Sequence, residues 1–265
     1  MHPRRSCGHW RLLLTEPRTG AENMARDTAL LARAARTGET VFSVYTWQRP
    51  TLSFGRNQTA RGRYDMEKLR ASGTDVVRRP TGGRAILHDR EVTYSVTAPL
   101  EGAPSLREAY TRINRILLEG LSRLGVSAEL AGSGARAPAP TDRPCFETPT
   151  EGELVARGRK LVGSAQWRDE QGLLQHGSIL VDDDQSYLSS FAASGFADNG
   201  VIPVPATLTS LLGRTPAAAD VAGAMFEAVR LLEDPEAEDL SENDIRSEAL
   251  AFVPNYLDED WTWRR

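Results

Sequence analysis

The chain predicts an α/β (α+β) fold, and three observations carry that prediction. Short β-rich runs alternate with helical apolar spacing over the first hundred residues. A capping box at Ser105 opens a long amphipathic run, and a long hairpin pattern follows in the second half. The composition agrees: 265 residues, 40% hydrophobic and 26% charged, are enough for one large soluble core and exclude disorder.

Trp10 to Thr15 reads as a first strand, and Asn23 to Arg36 as a helix through Met24, Leu30 and Leu31, stopped by Gly38. Val41 to Trp47 and Leu52 to Phe54 read as strands around Arg49-Pro50, Tyr64 to Ser72 as a helix ending at Gly73, and Asp75 to Arg79 as another strand. Along Glu91 to Ala98, Val92, Tyr94 and Val96 alternate with Thr93, Ser95 and Thr97, which is the period of a strand. Ser105 and Glu108 have capping-box spacing, each side chain satisfying a free backbone donor of a helix that runs to Leu124 and ends at Gly125.

Val126 to Leu130 predicts a strand, and the Gly- and Pro-rich stretch after it predicts a mobile loop that delivers Cys145. Two or three strands span Glu153 to Val181. Tyr187 to Ala193, Leu208 to Leu212, Ala217 to Leu232 and Glu242 to Phe252 are expected to be helical. The organisation expected is one catalytic domain over residues 10–265, with 1–9 a disordered leader and 203–265 a helical C-terminal part.

No apolar run approaches the roughly 18 residues needed to span a membrane, and no secretory core is present at the N-terminus. Cys7 and Cys145 lie far apart, so a reduced, cytoplasmic protein is expected. A net charge of −4 argues against a general nucleic-acid binder. Arg56, Arg61, Arg63, Arg78, Arg79 and Arg84 nevertheless crowd one stretch and suggest a positive face for an acidic partner, with Arg78 and Arg79 its foremost contacts.

Cys145 stands fifteen residues ahead of Lys160. An ammonium beside a thiol favours the thiolate, and lowering the ordinary thiol pKa of about 8.5 by about 1.5 units takes roughly 2 kcal/mol. Gly82 and Gly83, directly after a strand, suit a turn whose N–H groups face a ligand oxygen. Each feature alone has a commoner reading. A Gly-Gly pair is usually a plain turn, His88 and His176 structural hydrogen-bonding groups, Arg78 and Arg79 a solvated pair, Cys145 a small buried hydrophobe and Lys160 a surface lysine.

Taken together and in order, NMARDTALL (Asn23 to Leu31), PTLSFGRNQ (Pro50 to Gln58), RRPTGGRAILHD (Arg78 to Asp89), TYSV (Thr93 to Val96), PCFETP (Pro144 to Pro149) and GRKLVGSAQWRDEQGLLQHGSIL (Gly158 to Leu180) resemble the biotin/lipoate A/B protein ligase superfamily. Within it the chain is most similar to the lipoate-ligase-like octanoyltransferases of lipoate synthesis. The resemblance implies that Cys145 is acylated, that Lys160 lowers its pKa, and that Arg78, Arg79, Thr81, Gly82, Gly83, His88, Gly163, Ser164 and His176 form the substrate site. Gly82, Gly83, Gly163 and Ser164 are the candidates for stabilising an oxyanion. It also implies octanoyl-acyl carrier protein as donor and glycine-cleavage H protein or a lipoyl domain as acceptor, with no cofactor, metal, nucleic acid or membrane involved.

Burying seven apolar carbons at about 0.8 kcal/mol each makes chain length selectable. Three alternatives stay open: a protein-to-protein octanoyl amidotransferase, an ATP-dependent lipoate ligase in which Cys145 is incidental, and a silent acyl-carrier-binding protein. Arg84 replaces a glycine common in the ligases, and Thr28 replaces an acidic residue common in the first helix.

Overall fold

The computed structural model describes residues 9–100, 105–132, 152–196 and 203–264. Its centre is an eight-stranded sheet in the order β11-β1-β2-β6-β10-β9-β8-β7. The strands are β1 (Trp10–Leu14), β2 (Thr40–Tyr45), β6 (Glu91–Ala98), β7 (Glu129–Leu130), β8 (Leu154–Ala156), β9 (Arg159–Arg168), β10 (Leu173–Leu180) and β11 (Glu238–Asp239). β1 runs parallel to β2 and β11, and the other pairings are antiparallel. A second, three-stranded sheet has the order β4-β3-β5, from β3 (Thr51–Phe54), β4 (Asp75–Arg78) and β5 (Ile86–His88).

The alternation along β6 sorts its side chains between two helical layers. Val92, Tyr94 and Val96 enter the main core with Phe42, Val44, Ile113, Ile116, Leu117, Met225 and Val229, beneath α3 (Leu106–Arg123) and α5 (Ala218–Leu232). On the other face lies α1 (Gly20–Thr37), itself covered by α6 (Asn243–Leu257). The boundaries follow local chemistry. Thr19 and Glu22 form a capping box on α1, Gly38 ends it in the left-handed conformation, and Ser105 and Glu108 form the expected box on α3. Asp65 caps the short α2 (Met66–Ala71).

Thr28 meets the C-terminal layer: its hydroxyl lies 2.6 Å from the Tyr256 hydroxyl, so a hydrogen bond pins α1 to α6. The segment expected to be helical around Tyr187 is a 3₁₀ helix, Gln185–Phe191. α4 (Leu208–Leu212) is as expected, whereas α6 continues past Phe252 and through Pro254 to Leu257. The short α7 (Glu259–Thr262), β5 and β11 were not anticipated. No helix among the described residues is long and apolar enough to cross a membrane.

Arg78 is fully buried, which corrects the expectation of a solvated pair facing a partner. Its Nε donates to the carbonyls of Trp261 and Thr262 at 3.2 and 2.9 Å, and its Nη1 to those of Gly55 and Gln58 at 2.6 and 2.8 Å. The Trp261 indole N–H returns a bond to the Arg78 carbonyl. One guanidinium thus ties α7 to the loop that follows β3, a use suited to a planar group with five donors. Arg79 and Arg84 are buried as well, so the basic face reduces to Arg56, Arg61 and Arg63.

Candidate active site

Between the two sheets opens a cleft. Arg79, Gly83, Ile86 and His88 line it from the small sheet, and Gly163, Ser164, Ala165 and His176 from the large one. Met24, Tyr45 and Trp47 add apolar surface. Six of the expected site residues therefore meet here: Arg79, Gly83, His88, Gly163, Ser164 and His176. Thr81 and Gly82 belong to the adjoining turn, Arg78 stands behind it, and Cys145 lies outside the described residues.

Glycines allow close backbone contact on each side of the cleft, within the small-sheet loops and within the large sheet. A Cβ on Gly55 would stand 2.0 Å from the Gly83 carbonyl oxygen, and one on Gly177 would stand 2.4 Å from that of Gly163. Gly83 itself has φ of 97°, a region that disfavours side chains. Neither Gly82 nor Gly83 donates its N–H to any group among the described residues. Backbone donors without an internal acceptor are what an oxyanion needs.

The turn carrying those donors is fixed from both sides. Arg79 Nη2 donates to the carbonyls of Gly82 and Arg84 at 3.0 and 2.7 Å, and Nη1 to the carbonyl and hydroxyl of Ser53. From the large sheet, His176 Nε2 lies 2.6 Å from the Thr81 hydroxyl, while Nδ1 lies 2.8 Å from Asp27 Oδ2. Tyr45 donates to the same oxygen at 3.0 Å. Burial, and then the charge of Asp27, hold the Tyr45 phenol well above its ordinary pKa, so it stays a donor. Because a carboxylate only accepts, His176 carries a proton on Nδ1, the nitrogen that faces Asp27.

His88 anchors a second buried network. Its ring stacks on Trp47 at 4.1 Å between centroids, with Nε2 2.7 Å from Ser53 Oγ and Nδ1 3.2 Å from Glu91 Oε1. Glu91 also accepts from the Trp47 indole N–H and the Thr93 hydroxyl, both at 2.5 Å. Asp27, Tyr45, Trp47 and Glu91 were not picked out from the sequence. Asp27 meets His176 149 residues on, and Trp47 meets Glu91 44 residues on, although Asp27 and Met24 fall inside the NMARDTALL motif.

Lys160, on β9, is buried, not a surface lysine. Its Nζ donates to Glu153 Oε1 at 2.7 Å, and Glu153 is buried too. Ala131 N–H donates to the Glu153 carbonyl at 2.8 Å, Gly152 N–H to the Ala131 carbonyl at 3.2 Å, and Asn114 Nδ2 to the Gly152 carbonyl at 2.8 Å. These bonds bring the two flanks of segment 133–151, which contains Cys145, together beside Lys160. Glu153 is the further residue that the sequence reading missed, and its place at the head of a strand gave no signal of the pairing.

Burial is the largest influence on His88 and lowers its pKa, outweighing the nearby Glu91. The unfolded chain therefore takes up this proton first as pH falls below about 6.5, and stability is lost from there down to the lowered folded value. Asp184 acts in the opposite sense: burial raises it to about 6, so its protonation favours the folded state as pH falls from there toward 4. Comparing unfolding free energies of wild type and His88→Asn by urea titration from pH 7.5 to 5 isolates the histidine. The gap between them should narrow below pH 6.5, and a constant gap would contradict a buried neutral His88.

The lipoyl protein ligase A/B catalytic domain family matches residues 19–230. Octanoyltransferase LipM of Kyrpidia tusciae is 39% identical, over 97% of this chain and 99% of that protein. Octanoyltransferase LipM of Symbiobacterium thermophilum is 46% identical over 66% of each chain, and that of Staphylococcus aureus 41% over 66% of this chain and 67% of its own. Among solved structures, a bi-partite lipoate protein ligase from Thermoplasma acidophilum superposes with a TM-score of 0.76 at 20% identity, covering 97% of this chain and 96% of that one. P. falciparum LipL1 in complex with lipoate gives 0.72 at 16% identity, covering 97% and 74%. These two likenesses show the fold that the motifs implied, a mixed-sheet lipoate-ligase-like α+β domain. With the family match spanning most of its length, the chain belongs to the lipoyl protein ligase A/B catalytic domain family.

Proposed function

We propose that this octanoyltransferase of lipoate synthesis takes its acyl group from octanoyl-acyl carrier protein as a thioester on Cys145. It then passes the group to a lysine of glycine-cleavage H protein or of a lipoyl domain. The observation that carries this reading is the buried ammonium of Lys160 at the point where both flanks of the Cys145 segment meet.

In the first step the Cys145 thiolate attacks the donor carbonyl, and the carrier's thiolate leaves with its phosphopantetheine arm. In the second, the uncharged amine of the acceptor lysine attacks the octanoyl-cysteine. The C–N bond forms first as the amine adds to the carbonyl, the C–S bond then breaks, and the amine proton goes to the departing Cys145 sulfur. This is nucleophilic catalysis in two transfers, from thioester to thioester and then from thioester to the more stable amide. The tetrahedral oxyanion of each step is assigned to the N–H groups of Gly82 and Gly83, held by Arg79 and by the Asp27–His176–Thr81 chain. The octanoyl tail occupies the apolar cleft beside Met24, Tyr45 and Trp47.

Glu153 pairs with the Lys160 Nζ at 2.7 Å and balances the charge of an almost fully buried lysine. When Cys145 ionises, the ammonium has a second anion to stabilise. Substituting Lys160 by Ala removes the cation and leaves the Glu153 charge, and both changes raise the thiol pKa. The pH at which Cys145 alkylation by iodoacetamide reaches half its maximum rate should rise by about one unit or more in Lys160→Ala. An unmoved inflection would remove Lys160 from thiol activation.

A thioester donor is already activated, so transfer needs no nucleotide. Octanoyl carrier protein alone should octanoylate H protein, read as intact mass, whereas free octanoate or lipoate with ATP and magnesium should give little. Modification confined to the second mixture would make the chain a ligase. Modification in neither would favour amide transfer between lipoyl proteins or a silent binder.

A further inference from the structure

Arg56 leaves β3 beside the turn that bears Gly82 and Gly83, its N–H donating to the Thr81 carbonyl at 2.7 Å. Its guanidinium lies over the Trp167 ring at 3.9 Å and within 5.6 Å of the Trp261 ring. Trp167 belongs to β9, two residues beyond the cleft-lining Ala165. The pair therefore spans the gap between the small sheet and the large one at the edge of the cleft. We propose that Arg56 is the contact for the phosphate of a thioester donor's arm, and that exposed arginines around it, Arg61 and Arg264, receive the acidic surface of the protein carrying that arm. The proposal rests on the donor assigned above.

Stacking fixes a guanidinium by its flat face and leaves its N–H edge free to bind an anion, the arrangement in which arginine takes a phosphate through two hydrogen bonds. Arg56 and Arg61 have no carboxylate partner among the described residues. Arg61 donates through Nε to the Trp263 carbonyl at 3.0 Å, and Arg264 lies over the Trp261 ring at 4.1 Å while donating to the Arg56 carbonyl. Asp169, which lies against Trp167, already accepts from the indole N–H and from the backbone of Gln171 and Gly172. A local basic face on a chain of net charge −4 favours an acidic partner at that face. Arg78 and Arg79, which the sequence put forward for this task, are buried behind the turn and hold it.

The test compares binding of the full chain to two forms of acyl carrier protein by calorimetry at low salt: holo, bearing the phosphopantetheine arm, and apo, lacking it. Arg56→Gln should weaken holo binding about tenfold and apo binding by less than about twofold. Arg61→Gln should weaken both forms alike and flatten their dependence on salt. Arg56→Lys keeps the charge without the planar stack, so holo affinity between wild type and Arg56→Gln supports the assignment and guards against misreading a folding defect. Unchanged holo affinity in Arg56→Gln, or equal losses on both forms, would overturn it. Wild-type protein that binds neither form would overturn the donor reading itself, and the phosphate contact with it.

Discussion

One carboxylate oxygen, Asp27 Oδ2, accepts from both the Tyr45 hydroxyl and the His176 ring, and through His176 it fixes Thr81. Asp27 sits on α1, Tyr45 on β2, His176 on β10 and Thr81 in the turn between β4 and β5. The large sheet, the helix that covers it and the turn of the small sheet are thus referenced to a single buried anion. The cleft exists because these parts are held at a set separation. Buried polar chains of this kind are costly when incomplete and rigid when complete. Here they position a pair of backbone N–H groups that a mobile turn would leave solvated.

The C-terminal elements serve the same end. Arg78 binds carbonyls of α7 and of the loop after β3, Tyr256 of α6 bonds Thr28 of α1, and β11 extends the large sheet beside β1. Stability and site geometry are therefore coupled: loosening α6 or α7 disturbs the turn from behind. On the opposite edge, Lys160 and Glu153 form a separate buried pair near α3. The turn and Lys160 are organised by different networks, linked through β9 and β10.

Much of this was legible in the sequence because its signals are local. The Ser105 and Glu108 box, the alternation from Val92 to Thr97 and the glycines at 38 and 125 each act within a few residues, and the structure has them where expected. The TGG turn and the Lys160 strand were likewise visible as motifs. What was not legible depends on partners distant in sequence. Nothing near Arg78 reveals that five carbonyl-rich loop and helix-end positions converge on it, so it read as a solvated arginine. Glu153 carries no mark of its pairing with Lys160, and Asp27 none of its bond to His176, 149 residues away. The 3₁₀ turn at Gln185–Phe191 and the passage of α6 through Pro254 are decided by packing against neighbouring elements and not by propensity.

The claim on which the chemistry turns is that the octanoyl group is carried covalently by Cys145. Peptide mass spectrometry after brief incubation of the chain with octanoyl carrier protein, in the absence of acceptor and nucleotide, addresses it directly. The account predicts a single octanoyl adduct on the Cys145 peptide that hydroxylamine removes, and none in Cys145→Ala. An adduct on Cys7 or on a lysine instead, or full transfer activity in Cys145→Ala, would contradict it.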